Sequence, residues 1–256
     1  VCSSDLPESL QYLAMRGNTG GIAKVLAKLN PAKAAAYLAN NVRFMLPEPS
    51  DKVASIGLLL EPRYRRATLA SWAAAFCVLF GIFGLTGWVP TVMLARGESF
   101  AASFGFGALI QGMAFIGSLI CGAIADKTHK PRVAISAWWL GGAFSLAMLA
   151  LVNVHTLNFF FIGLAGFCIL GAQNVLNNFT ASIYDTEVRG TGVGMMLGVG
   201  RLGGILGPYT TGWVQQITGG SVGLFAAIAV AVLCGASFIL LARTQETAKA
   251  AAEELV

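Results

Sequence analysis

The 256 residues are 56% hydrophobic and only 11% charged, with a formal charge of +5 and a mean hydropathy of +0.70. A soluble domain carries about a quarter charged residues, so this composition excludes one and indicates a polytopic membrane protein covered by lipid. The positive charge belongs to basic loops between spans rather than to a nucleic-acid surface, because no basic-aromatic patch accompanies it.

The cysteines at 2, 77, 121, 168 and 234 form no C-x-x-C pair. Four lie inside apolar runs, where Cys behaves as a small hydrophobe, so neither a disulfide framework nor a metal cluster is expected. The chain opens on Val1 and shows no signal-peptide pattern. It reads as a piece of a longer polypeptide that lacks an N-terminal part, with Val1 to Ser4 outside the native sequence.

Residues 1–66 are mixed and mostly polar, with nine Lys/Arg against five Asp/Glu. Ile22, Val25, Leu26 and Leu29 fall on one helical face, opposite Lys24 and Lys28, which predicts a short amphipathic helix on the membrane surface or against the bundle. A second short helix is expected after Pro31, ending before Pro47 to Pro49. Six apolar spans follow, at about 67–95, 101–125, 131–153, 157–183, 190–214 and 221–242, each near or above the ~20 residues a bilayer needs. The expected organisation is a basic segment (1–66), a six-span bundle (67–243) and a tail (244–256). The fold class is an all-α membrane protein.

Basic residues set the orientation. Arg63, Arg65 and Arg66 precede the first span; Lys127, Lys130 and Arg132 join the second to the third; Arg189 joins the fourth to the fifth; Arg243 and Lys249 follow the last. The alternate loops hold only Arg96. Both ends are therefore expected in the cytoplasm, in a multi-pass protein of the inner (plasma) membrane.

The fifth span reads RGTGVGMMLGVGRLGGILGPYTTGW from Arg189 to Trp213, with the lone charge Arg201 near its middle. Gly194 and Gly198, Gly200 and Gly204, and Gly203 and Gly207 recur four apart, which predicts a flat strip for close helix packing. Gly207-Pro208 is the place for a kink or hinge. None of the twelve acidic residues lies in a span, so Arg201 has no acidic partner there. A lone intramembrane cation is costly and suits an anionic ligand that relieves its desolvation; the alternative is a packing helix whose arginine reaches an interface. In the fourth span, Gln173 with Asn177 and Asn174 with Asn178 make two i, i+4 amide pairs, which serve either as ligand contacts or as interhelical hydrogen bonds. Gln111 in the second span is a candidate of the same type. Trp88 offers a ring for stacking, or an interfacial anchor. At the cytoplasmic turns, Gly122, Asp126, Lys127 and Arg132, and then Asp185, Glu187 and Arg189, combine acid with base and suggest a conformational latch.

Gly122, Asp126, Lys127, Lys130 and Arg132 resemble the major facilitator superfamily signature, a Gly, three residues, Asp, Arg or Lys and a basic run, in its C-terminal-half copy. His129 stands where a glycine is usual, and Pro131 intrudes. Leu6-Pro7-Glu8-Ser9 resembles the segment that ends the sixth span of that family. The residues Gly171-Ala172-Gln173, Leu176-Asn177, Tyr184, Arg189, Thr191-Gly192, Gly194, Gly198, Gly200-Arg201, Gly203 and Gly207-Pro208 look like the tenth and eleventh spans of its aromatic acid:proton symporters. Asp185 replaces a proline there. The resemblance implies that the chain is the central loop plus spans seven to twelve of a transporter that works by alternating access, with its substrate held near the midplane. It further implies a small organic anion as substrate, protons as coupling ion, a proton gradient as driving force, no cofactor, and a missing N-terminal half carrying the coupling acids. Arg201 would pair with the substrate carboxylate, Gln173 and Asn177 would contact ring hydroxyls or the carboxylate, and Trp88 would stack.

Rival expectations are a superfamily transporter of sugars or drugs, an intramembrane enzyme and a six-span channel. A neutral sugar leaves Arg201 without a partner. An intramembrane serine protease needs a His in the bilayer, whereas His129 and His155 are loop residues.

Overall fold

The computed structural model describes residues 18–31 and 56–242, together with Leu10, Leu13, Ala34 and Tyr37. The side chains of Thr186 and Glu187 are outside that description, as are Val1 to Ser9, Pro47 to Pro49 and everything after Ala242. The Leu6 to Ser9 segment and the polar tail therefore lie outside the described residues. The chain divides into two units, Val1–Val53 and Ala54–Val256.

In the first unit, α1 (Thr19–Leu29) starts at Asn18, whose side-chain oxygen accepts the Gly21 N–H at 2.9 Å. This satisfies one of the donors that every helix start leaves open. Ile22 is buried and Val25 and Leu26 are half-buried, but Leu29 is 69% exposed. The expected apolar face is thus covered only along its first two turns. Of the second short helix, only Ala34 and Tyr37 are described, both helical.

The second unit begins with a short turn, α2 (Ile56–Leu59), and continues through α3 (Arg65–Ala95), α4 (Phe100–Thr128) and α5 (Pro131–Leu151). Next come α6 (His155–Ala165), a π-helical turn (Gly166–Leu170) and α7 (Gly171–Ile183), which run on as one rod; α8 (Thr186–Thr218) and α9 (Ser221–Leu241) complete the unit. The unit starts before the first span rather than at residue 67. Leu59 and Tyr64 are buried with Tyr184 and Val188, and this cluster ties the lead-in segment to the bundle.

Five rods, α3, α4, α5, α6–α7 and α9, are long and apolar enough to cross a bilayer. The sixth, α8, is the longest at 33 residues but holds nine glycines, which add length without hydropathy. No strand occurs among the described residues. The turns follow local chemistry. Ser99 caps α4 by accepting the Ala102 N–H at 3.2 Å, and Pro131 opens α5, where its missing N–H costs nothing. His129 ends α4 at φ 51°, in the left-handed region that glycine usually fills.

Small residues set the packing, as expected where lipid removes the hydrophobic drive between helices. A Cβ on Gly203 or Gly207 would collide with the Phe76 or Phe80 carbonyl oxygen of α3, one on Gly204 would press on the Phe83 ring, and one on Gly200 on Leu79. Gly117 of α4 faces the Phe167 carbonyl and the Gly171 backbone in the same way. Gly194 and Gly198 depart from the expected strip: nothing lies within 4 Å of either. They sit on another side of α8 from Gly200, Gly203, Gly204 and Gly207, which form the packing strip against α3, while Gly212 meets α3 through the Trp88 ring. Pro208 lies within α8, which runs through it as one continuous helix. The interior is filled by Trp139, Phe106, Phe225, Leu85 and Met93, all fully buried.

Candidate functional site

Thr180 and Met196 fix the depth of the central residues. The Thr180 hydroxyl meets the Met196 sulfur at 2.9 Å across the antiparallel pair α7 and α8. Arg201 lies five residues beyond Met196, and Asn177 and Gln173 lie three and seven residues before Thr180. At about 1.5 Å per residue these are steps of about 7, 4 and 10 Å in the same direction. Arg201 therefore shares a level with the Gln173–Asn177 pair, halfway along α8. Residues 173, 177 and 180 share the face of α7 that carries the Met196 contact.

Arg201 is exposed on this chain, beside Gly194 and Gly198, and its guanidinium carbon lies 5.7 Å from the centre of the Phe83 ring. No carboxylate pairs with it among the described residues. Gln173 is 9% exposed; its Nε2 donates to Asn177 Oδ1 at 3.3 Å, and its Oε1 is buried without a partner. Immediately before it, the π-helical turn presents the Ile169 carbonyl to the buried Trp139 N–H at 3.3 Å. Such turns frequently mark functional positions in helices. Asn174 and Asn178 point the other way, into a groove of about 410 Å³ between α4 and α7, with Ser118, Gly122, Asp126 and Ser182.

The structure separates two expected residues from this level. Gly117 touches Gly171, which places Gln111 six to eight residues, on the order of 10 Å, farther along the bundle than Gln173. Gln111 is exposed and does not join the amide pair. The Trp88 N–H donates to Pro208 O at 2.8 Å and its ring lies against Gly212. One side of the indole is thus taken by α8, and the rest lines a second groove at the end of the bundle opposite the basic turns.

The profile of the Major Facilitator Superfamily matches residues 27–208. The chain belongs to the major facilitator superfamily. It is 36% identical to the gallate transporter of Pseudomonas putida over 92% of its own length and 52% of that protein's. It is 31% identical to the benzoate transport protein of Acinetobacter baylyi over 83% of the chain and 45% of the relative. Against the 4-hydroxybenzoate transporter PcaK of Pseudomonas aeruginosa it is 34% identical over 80% and 45%. The chain spans about half the length of these curated relatives. All three are transporters by name.

Within this superfamily member, the residues of the basic turns find different partners from one another. Asp185 pairs with Arg63 at 3.0 Å and 3.3 Å and accepts the Tyr64 hydroxyl at 2.7 Å. The Tyr184 ring lies tilted against Tyr64, with centroids 5.5 Å apart, and its hydroxyl donates to Thr68 Oγ1 at 2.9 Å, while Thr68 donates to Leu59 O. Burial, then the bond to Asp185, holds the Tyr64 hydroxyl above the ordinary tyrosine range; burial does the same for Tyr184 against the opposing effect of Thr68. Arg132 Nη1 donates to Ala242 O at 2.9 Å, at the end of α9. Asp126, Lys127 and Arg189 are exposed, and Gly122 faces open space.

Arg63, Tyr64 and Arg96 were not candidates on sequence grounds. Arg96 showed one signal, as the lone cation of the non-basic loops. It closes α3 and binds Leu149 O at 2.7 Å, Val152 O at 3.5 Å, Asn158 Oδ1 at 3.3 Å and Ser221 Oγ at 2.7 Å and 3.1 Å, with the Phe225 ring 5.1 Å away. One guanidinium thus joins the ends of α3, α5, α6 and α9. Beside it, Glu98 meets His155 Nδ1 at 2.6 Å.

Proposed function

We propose that this chain is the C-terminal half of a secondary transporter that carries an aromatic carboxylate by alternating access, together with protons. The observation that carries the reading is Arg201, a cation at mid-depth with no carboxylate partner among the described residues, level with an amide pair whose Gln173 Oε1 is also unpaired. A cation so placed favours an anion, and an unpaired buried acceptor favours a ligand that can donate a hydrogen bond. The names of the relatives, transporters of gallate, benzoate and 4-hydroxybenzoate, support the ligand class.

In this reading Arg201 binds the carboxylate, and Gln173 and Asn177 contact the ring substituents. The turns bearing Asp126, Lys127 and Arg132 and Asp185, Glu187 and Arg189 lie on the cytoplasmic side as latch elements, and the far end faces outside. The proton-coupling acids belong to the remainder of the polypeptide, because the acids of this chain stand at the ends of its apolar runs or outside them. The driving force is the proton gradient, with no cofactor.

The test is uptake of labelled 4-hydroxybenzoate by cells expressing the full-length parent, with and without a protonophore, beside Arg201→Ala. Losing a charge-assisted hydrogen bond weakens binding by roughly 1.5–3 kcal/mol, or about 10- to 150-fold. Uptake that survives both treatments would refute the reading. Uptake absent from a correctly inserted parent would remove the aromatic acid and leave other organic anions.

A further inference from the structure

The groove at the non-basic end has a volume of about 600 Å³ and runs between α3, α8 and the start of α9. Its walls include Trp88, Arg96, Gln215, Gln216 and Ser221. Three features there favour an anionic, hydrogen-bonding ligand. First, Arg96 is a half-buried cation whose five N–H groups all go to neutral partners, two backbone carbonyls, an amide oxygen and a hydroxyl, so its charge is not neutralised there. Burial pulls its guanidinium below the usual arginine value, and the nearest acid in sequence, Glu98, is engaged by His155. Second, Ser221 Oγ takes two N–H donors from Arg96 on its oxygen. Its own hydrogen remains to be given, and the adjacent positive charge makes it a stronger donor. Third, the Gln215 amide oxygen is buried with no partner, a condition that costs stability unless a ligand or water supplies the donor.

We infer that this groove is a second, outer docking site for a hydroxylated aromatic carboxylate, separate from the Arg201 level. The carboxylate accepts the Ser221 hydroxyl hydrogen under the field of Arg96. The ring lies along Trp88, and the Gln215 side chain turns into the groove so that its Oε1 accepts a ring hydroxyl. Trp88 sits against Gly212, eleven residues beyond Arg201 and on the order of 16 Å farther along α8. A ligand therefore occupies one level or the other, and the groove acts as a waiting position on the way to Arg201. The ligand class and the outward direction of this end rest on the aromatic-acid reading above.

The experiment uses the full-length parent in membrane vesicles of both orientations, with labelled 4-hydroxybenzoate and benzoate as probes. Ser221→Ala removes the donor, Ser221→Thr keeps it, and Gln215→Leu removes the acceptor for the ring hydroxyl. Ser221→Ala should raise the half-saturating concentration for uptake from the outer side about tenfold for both probes, with a much smaller change from the inner side, and Ser221→Thr should restore it. Gln215→Leu should raise the value about tenfold for 4-hydroxybenzoate and leave the preference over benzoate lost. Equal changes from the two sides, no change in either variant, or failure of Ser221→Thr to restore uptake would overturn the docking site. A parent that takes up neither probe overturns the aromatic-acid reading itself, whereas wild-type uptake with unaltered variants overturns only this site.

Discussion

Replacing Gly203 and Gly198 by alanine in turn makes one chemical change at two places on the same helix, with opposite expected signs. A Cβ on Gly203 would collide with the Phe76 carbonyl oxygen and lie 2.9 Å from its carbon and 3.1 Å from its Cα. These are backbone atoms, so no rotamer change makes room. The helices α3 and α8 must part by on the order of 1 Å, and a gap of that size forfeits a quarter to a half of each nearby dispersion contact. The neighbours that lose contact are those at Gly200, Gly204, Gly207 and Gly212, all of which meet α3 closely. Overpacking of this kind costs about 1–3 kcal/mol, partly offset by the ~0.5–1 kcal/mol that alanine contributes to a helix over glycine. Gly198→Ala meets nothing within 4 Å and keeps only that favourable term. Thermal unfolding of the purified chain in detergent, followed by circular dichroism, should therefore place Gly198→Ala at or above the parent and Gly203→Ala below it. The two variants should differ by about 1–3 kcal/mol. Equal midpoints would show that the Gly203–Phe76 approach does not hold the bundle together, and the packing argument would fall.

The Asp185 contacts predict a pH effect. The Tyr64 hydroxyl is held above its ordinary value by burial and by Asp185, so its contribution to stability is complete below about pH 10 and is lost as pH rises through the folded value. Asp185→Asn should bring the tyrosinate absorbance of Tyr64, assigned by comparison with Tyr64→Phe, to lower pH. The same variant should cost no more than ~1 kcal/mol of stability, because the Arg63 pair is exposed at 48% and 59%. Trp139→Phe keeps an aromatic ring but removes the N–H given to Ile169 O and part of a fully buried side chain. A loss of about 1–3 kcal/mol in chemical unfolding is expected. Arg132→Ala removes a donor from the Ala242 carbonyl, and hydrogen exchange should then quicken at the last turn of α9 while α3 and α4 keep their protection.

The spans were legible from the chain because apolar run length is a local property, and α3, α4, α5 and α9 begin and end within a few residues of their expected bounds. Arg201 was legible for the same reason: a charge in the middle of a glycine-rich run stands out without any neighbour being known. The helical phase of α8 was also readable, since Gly194, Gly198 and Arg201 recur at spacings that put them on one face. Which face meets α3 was not, because a repeat of small residues describes a helix surface and says nothing of its partner. The structure assigns that contact to Gly200, Gly203, Gly204, Gly207 and Gly212, and leaves Gly194 and Gly198 open beside Arg201. Gln111 and Gln173 looked alike as intramembrane amides, yet the register of α4 against α7 sets them on the order of 10 Å apart in depth. The π-helical turn had no sequence signature, since it forms where Gly117 and Gly171 bring two backbones together. The partners of Asp185 and Arg96 are decided by tertiary structure too. Arg63 is 122 residues from Asp185 and Ser221 is 125 from Arg96, and only the stacking of whole helices brings such distant ends to hydrogen-bond range.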